Sequence, residues 1–135
     1  MIHIEFPTPQ PTLPHRDRWL AIKRGFAGAC PHCGQGRIFG KYLKVLPECS
    51  QCGEDLSHHR ADDLPAYIVL FLVGHIVVGT LMGTDPEGVW PIWIHMILWP
   101  LMTLFLSLAL LQPVKGAVVG LQWALRMHGF GGEAE

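Results

Sequence analysis

The sequence predicts a membrane protein built from an N-terminal ribbon module of small β type, a two-helix transmembrane hairpin and a C-terminal amphipathic helix. Three observations predict it. Residues 65–111 contain no Lys or Arg and only two acids, Asp85 and Glu87. Two apolar runs long enough to span a bilayer lie within that stretch. All four cysteines fall in one block, "CPHCGQGRIFGKYLKVLPECSQC", as two Cys-x-x-Cys pairs.

The opening residues 1–15 are rich in proline (7, 9, 11 and 14) and predict a disordered, extended arm. They have no basic start and no apolar run of a secretory signal. Residues 16–26, "RDRWLAIKRGF", mix cations with apolar side chains and predict a basic amphipathic segment, a candidate membrane anchor.

Transmembrane helix 1 is predicted at 65–83, "PAYIVLFLVGHIVVGTLMG", and transmembrane helix 2 at 89–111, "VWPIWIHMILWPLMTLFLSLALL". A span needs about 20 mainly apolar residues at about 1.5 Å each. A buried hairpin in a soluble core is the alternative, but so small a chain has little other apolar surface to cover two such helices. The short link "TDPEG" forces an antiparallel hairpin with both ends on one side. That link has no Lys or Arg, while Arg16, Arg18, Lys23, Arg24, Arg60, Lys115 and Arg126 flank the hairpin. The positive-inside bias therefore predicts both termini in the cytoplasm. Trp90, Trp93 and Trp99 suit an outer aromatic belt.

Residues 114–128 predict an amphipathic interfacial helix. Lys115, Gln122 and Arg126 share one helical face, with the cations directed at lipid phosphates. The alternative is that the segment continues the second span through a kink at Pro113.

The cysteine spacing, C-x2-C-x15-C-x2-C over module 27–57, is that of a structural zinc site. Each Cys-x-x-Cys turn aims two thiolates at one point, and Gly34 and Gly53 just after permit positive φ. Cys30, Cys33, Cys49 and Cys52 would hold one structural Zn2+ per chain as a closed tetrahedral shell. A cytoplasmic module is kept reduced, which disfavours disulfides. Iron–sulfur ligation remains open, and a thioredoxin-type pair is disfavoured because no βαβ pattern surrounds the motifs. Zinc would also supply what a module of about 30 residues cannot gain from core burial. His32, His58 and His59 are expected at the surface. Arg37, Lys41 and Lys44 are balanced by Glu48, Glu54 and Asp55, so no nucleic-acid footprint is expected.

Each span carries one histidine, His75 and His95, at similar depth. Together they form a candidate intramembrane site for haem, copper or a proton. The plainer alternative is that each neutral ring steadies the hairpin through a local hydrogen bond. Arg60, Asp62 and Asp63 stand where the chain enters the bilayer. With Lys115 and Arg126 they are candidate contacts to a partner or the membrane surface.

The motifs "RGFAGACPHCGQGRIFGKYLKV", "CSQCG", "HRADDLPAY", "GHIVV", "WIHMILWP" and "PVKGAVVGLQWALRMHGF" resemble the small bacterial membrane proteins grouped as Domain of Unknown Function 983. The resemblance implies a two-span zinc-ribbon protein of the bacterial inner membrane. It also implies, by association with haem–copper oxidase assembly genes, a place in respiratory-complex biogenesis. No paired nucleophile and base stands out, so a non-enzymatic accessory or assembly protein is expected. Its partners would be membrane lipids and a membrane protein, a respiratory complex or its assembly factors, and not nucleic acid. A haem or copper carrier using His75 and His95 is the alternative.

Overall fold

The computed structural model describes residues 13–130; the predicted proline-rich arm lies mostly outside them. In chain order come α1 (Arg18–Phe26), an irregular segment holding the cysteines, α2 (Leu64–Thr84), a tight loop, and α3 (Ile92–Ala124). A single 3-10 turn, Met127–Gly129, closes the described chain.

Asp17 starts α1 by accepting the N–H groups of Trp19 (2.9 Å) and Leu20 (3.2 Å) on its Oδ1, which satisfies donors that a helix start leaves unpaired. Lys23 and Arg24 sit in its last turn, where cations complement the helix dipole. Only Ala21 and Gly25 of α1 are buried, and both face α3. A Cβ on Gly25 would lie 2.1 Å from the carbonyl oxygen of Gly116; one on Gly120 would lie 2.3 Å from that of Ala21. Two small-x-x-x-small pairs, Ala21/Gly25 and Gly116/Gly120, thus let the backbones touch. The order of these contacts makes α1 antiparallel to the end of α3. The basic segment therefore stands along the helix axis rather than lying across it.

α2 and α3 are long and apolar enough to cross a membrane. Val69 and Val73 of α2 meet Val114 and the partly buried Leu106, Leu110 and Leu111 of α3 along one seam. The outward side chains are bare: Leu70, Phe71, Met96 and Phe105 are 65–72 % exposed. That exposure does not fit a soluble core formed by this chain alone, whose helices would be covered by their own protein. Apolar surface of this extent needs lipid or a partner.

The predicted separate helix at 114–128 is absent. α3 instead runs unbroken through Pro100 and Pro113 to Ala124, and Arg126 and His128 then take left-handed φ of 56° and 55°. The reason is packing. Val114, Gly116, Val118, Val119, Gly120, Trp123 and Ala124 are buried against protein, not turned towards lipid. At about 1.5 Å per residue, 33 residues make a helix of about 50 Å, against about 30 Å of hydrocarbon. The turns beyond that length form a post buried by α1 and the cysteine module.

The cysteine module wraps that post. Three isolated antiparallel bridges, Ala29↔Arg37, Phe39↔Val45 and Glu48↔Asp55, stand where a small β ribbon was expected. No continuous strand forms among the described residues. The two knuckle turns and the loop between them occupy most of the chain, leaving each pairing one bridge long. Ile38, Phe39, Val45, Leu56 and Ala61 share one core with Ala21, Val118, Val119, Trp123, Ala124 and Phe130. The module is therefore not free-standing: the end of α3 is part of its core.

Gln122 fixes the join. Its Oε1 accepts the backbone N–H of Arg60 (2.9 Å) and its Nε2 donates to the Arg60 carbonyl (3.0 Å). Gln122→Leu would strand both backbone groups in a partly buried place. It should cost about 1–3 kcal/mol, measured as a lower unfolding temperature in detergent.

Candidate metal centre

Two turns of the same design carry the thiols. In the first, Gly34 donates its N–H to the Cys30 carbonyl (2.8 Å), and Cys30 donates to the Gly36 carbonyl (2.8 Å). In the second, Gly53 donates to Cys49 (3.0 Å), and Cys49 donates to Glu54 (2.9 Å). Gly34 and Gly53 have φ of +70° and +73°, as the motif requires. The four sulfurs all lie within 4.8 Å of one another. Cys30 and Cys52 are 3.7 Å apart, as are Cys33 and Cys49.

These distances fit a metal. Four M–S bonds of about 2.3 Å in a tetrahedron place the sulfurs about 3.8 Å apart, whereas a disulfide needs about 2.05 Å. All four cysteines are free thiols. The cradle is also cleared for sulfur: a Cβ on Gly36 would sit 2.2 Å from the Sγ of Cys49. Cys30, Cys33, Cys49 and Cys52 are thus placed to hold one metal ion, and four such ligands close its shell.

The thiols differ electrostatically. The N–H groups of Gly36 and Gln35 point at the Cys33 sulfur (3.5 and 3.4 Å) and hold its pKa down to about 6. Burial pushes the Cys30 thiol up to about 12. A cation replaces the proton at such a site, and N–H groups aimed at sulfur stabilise the thiolate it needs.

The histidines beside the knuckles have other partners. His32 Nδ1 lies 3.6 Å from Glu54, His58 3.2 Å from Asp55, and His59 Nδ1 2.9 Å from the Leu56 carbonyl. Glu54 in turn accepts the indole N–H of Trp123 at 2.9 Å. Arg16 stacks over the same indole at 4.2 Å and donates to the Trp123 carbonyl at 2.7 Å. The second knuckle is thereby tied to the end of α3. Sequence reasoning missed this tie and the glycine contacts; the A-x-x-x-G and G-x-x-x-G spacings were the available signal.

The expected surface contacts divide. Lys115 donates to the Leu43 carbonyl (2.8 Å) and Arg126 to the Pro14 carbonyl (2.5 Å), so both cations serve internal joins. Arg60, Asp62 and Asp63 are exposed, and neither aspartate forms an ion pair among the described residues. Asp63 takes the helix-cap position of α2 without a side-chain cap bond.

His75 and His95 have separate partners. His75 Nδ1 bonds the Phe71 carbonyl one turn back (2.8 Å) on an exposed face of α2. His95 Nε2 reaches Asp85 (3.1 Å), and its Nδ1 accepts the Trp99 indole N–H (2.8 Å). Asp85 also accepts the N–H groups of Val89 (2.8 Å) and Trp90 (3.1 Å), closing the loop between α2 and α3. Burial works to raise the Asp85 pKa, but those N–H groups and His95 outweigh it and hold the carboxyl below its ordinary 3.8. A depressed carboxylate stabilises above its unfolded pKa and stops doing so as pH falls through its folded one. Protection of the Val89 and Trp90 amides, relative to exchange of an unfolded chain, should thus persist at neutral pH and fall as acid protonates Asp85 below its ordinary carboxylate range, and Asp85→Asn should lower that protection at neutral pH.

Comparison with known proteins finds a family match. The family model described as "Protein of unknown function (DUF983)" matches residues 39–123, more than half of the chain. The match takes in Cys49, Cys52, both long helices and the Gln122–Trp123 join; Cys30 and Cys33 lie before it. No curated protein and no solved structure matches. The chain belongs to the DUF983 family.

Proposed function

We propose that this chain is a non-enzymatic accessory or assembly protein of the bacterial cytoplasmic membrane, with one structural Zn2+ on Cys30, Cys33, Cys49 and Cys52. The observation that carries this reading is a four-thiol centre fastened to one end of a hairpin whose two helices are long and apolar enough to cross a membrane. A closed shell leaves no position for substrate. Trp123–Glu54 and Gln122–Arg60 hold the centre in a set orientation, as a docking module requires. The Lys/Arg bias supports placing both termini in the cytoplasm. Arg60, Asp62 and Asp63, exposed where the module meets α2, are the contact patch we assign to a membrane-protein partner. A respiratory oxidase or its assembly factors is the partner class that family resemblance suggests.

Photo-crosslinkers at Asp62 and Asp63 in native membranes should capture one defined membrane protein. Recovery of the chain alone, or of a different protein each time, would end this reading. The second reading, a haem or copper carrier, has less support because His95 already has Asp85 and Trp99 as partners. It requires a Soret band or bound copper that the His75→Ala/His95→Ala double variant loses.

A further inference from the structure

The module's charge looks balanced in sequence but is divided in space. Residues 18–47 hold Arg18, Lys23, Arg24, Arg37, Lys41 and Lys44 and no carboxylate, while Glu48, Glu54 and Asp55 follow. α3 supplies a ruler for their positions. Tyr42 donates its hydroxyl to the Leu108 carbonyl, and Lys115 reaches the neighbouring Leu43 carbonyl. Glu54 instead meets Trp123. Residues 108 and 123 are about 22 Å apart along a helix. The loop with Lys41 and Lys44 therefore lies at the end of the apolar run, and the acidic knuckle lies far from it.

At that same level a cleft of about 350 Å³ opens between α1, the module and α3. Phe26 and Phe39 wall it, Gln112 and Pro113 floor it, and Arg37 lines it. Arg37 is exposed and has no ion-pair partner among the described residues. Leu108 and Leu104 lie one and two turns from Gln112 on the same helix face, and both are more than half exposed. A cation beside an apolar track suits an amphiphile with a phosphate head and acyl tails.

We infer that this cleft binds one anionic phospholipid, its phosphate on Arg37 and its acyl chains along Leu108 and Leu104. An arginine fork matches phosphate oxygens in pairs, and Lys41 and Lys44 add attraction to an anionic leaflet. The inference rests on α2 and α3 crossing a bilayer. It is independent of the metal's identity and of any assembly partner.

The test is native mass spectrometry of the full chain in mild detergent, titrated separately with phosphatidylglycerol, phosphatidylcholine and inorganic phosphate. Wild type should hold one phosphatidylglycerol with about fivefold or greater preference over phosphatidylcholine, the scale of one cation near an anionic surface. Arg37→Gln should abolish the preference, Arg37→Lys should keep most of it, and Arg18→Gln, outside the cleft, should leave it unchanged. Equal adducts of the two lipids on wild type would overturn the site, even if Arg37→Gln fails to fold. So would an unchanged preference in a folded Arg37→Gln protein. An Arg37-dependent phosphate adduct without lipid preference would make it a free-anion site and also overturn the proposal.

Discussion

Cys30→Ser should leave the purified protein without its metal, while the apolar hairpin keeps its helical content. Cys30 is fully buried, and its thiol is pushed up to about 12. A bound cation must displace that proton, and a serine hydroxyl will not ionise in its place. Structural zinc in small modules is worth about 10–16 kcal/mol of apparent binding energy, so removal of one of four thiolates should lower affinity by several orders of magnitude. The loss will not unfold the module evenly. Ile38 and Leu56 are fully buried in a core shared with Val119 and Trp123, and none of the four thiols belongs to that core. Amide exchange should therefore quicken in the two knuckles, at residues 30–36 and 49–54, and much less at 38–45. Metal analysis should read one zinc per chain for wild type and close to none for the variant. Full occupancy in Cys30→Ser would mean that the ion is not held by this set, and iron in wild type would replace zinc as its identity.

What could be read from residues alone follows from how local each signal is. Two runs of some 20 apolar residues and four cysteines in doubled pairs are local patterns, and both reappear in three dimensions. The positive φ at Gly34 and Gly53 is likewise a property of one turn. Residues 114–124 were harder. Val118, Val119 and Trp123 have the composition of a lipid-facing surface, and only long-range packing shows that α1 and the cysteine module cover them. The carbonyl partners of Lys115 and Arg126 were hidden for the same reason: they lie 72 and 112 positions away in the chain. Gln122 carried no local signal at all, since its partner Arg60 lies 62 positions away.

Gly116→Val should release α1 from α3, the largest effect expected of any single substitution away from the thiols. A Cβ there would fall 2.0 Å from the carbonyl oxygen of Gly25 and 2.9 Å from its carbon. Those are backbone atoms in a helix, so no side-chain rotation can relieve the overlap. Overpacking commonly costs about 1–3 kcal/mol, and the cost should reach the upper end where two backbones must separate. The amides of α1 should lose exchange protection while those of α2 keep it. Gly74→Ala makes the opposite comparison. A Cβ at Gly74 meets nothing within 4 Å, so this helical glycine should gain stability on replacement, by about 0.5–1 kcal/mol. A double variant then separates a lost contact from general damage. Gly25→Val attacks the same crossing from the other side, where its Cβ would lie 2.1 Å from Gly116 oxygen. Once α1 has left, the second substitution has little left to break. The pair should therefore cost well under the sum of the singles. Full additivity, or retained protection of α1 in Gly116→Val, would show that the small-residue crossing is not what holds the helix.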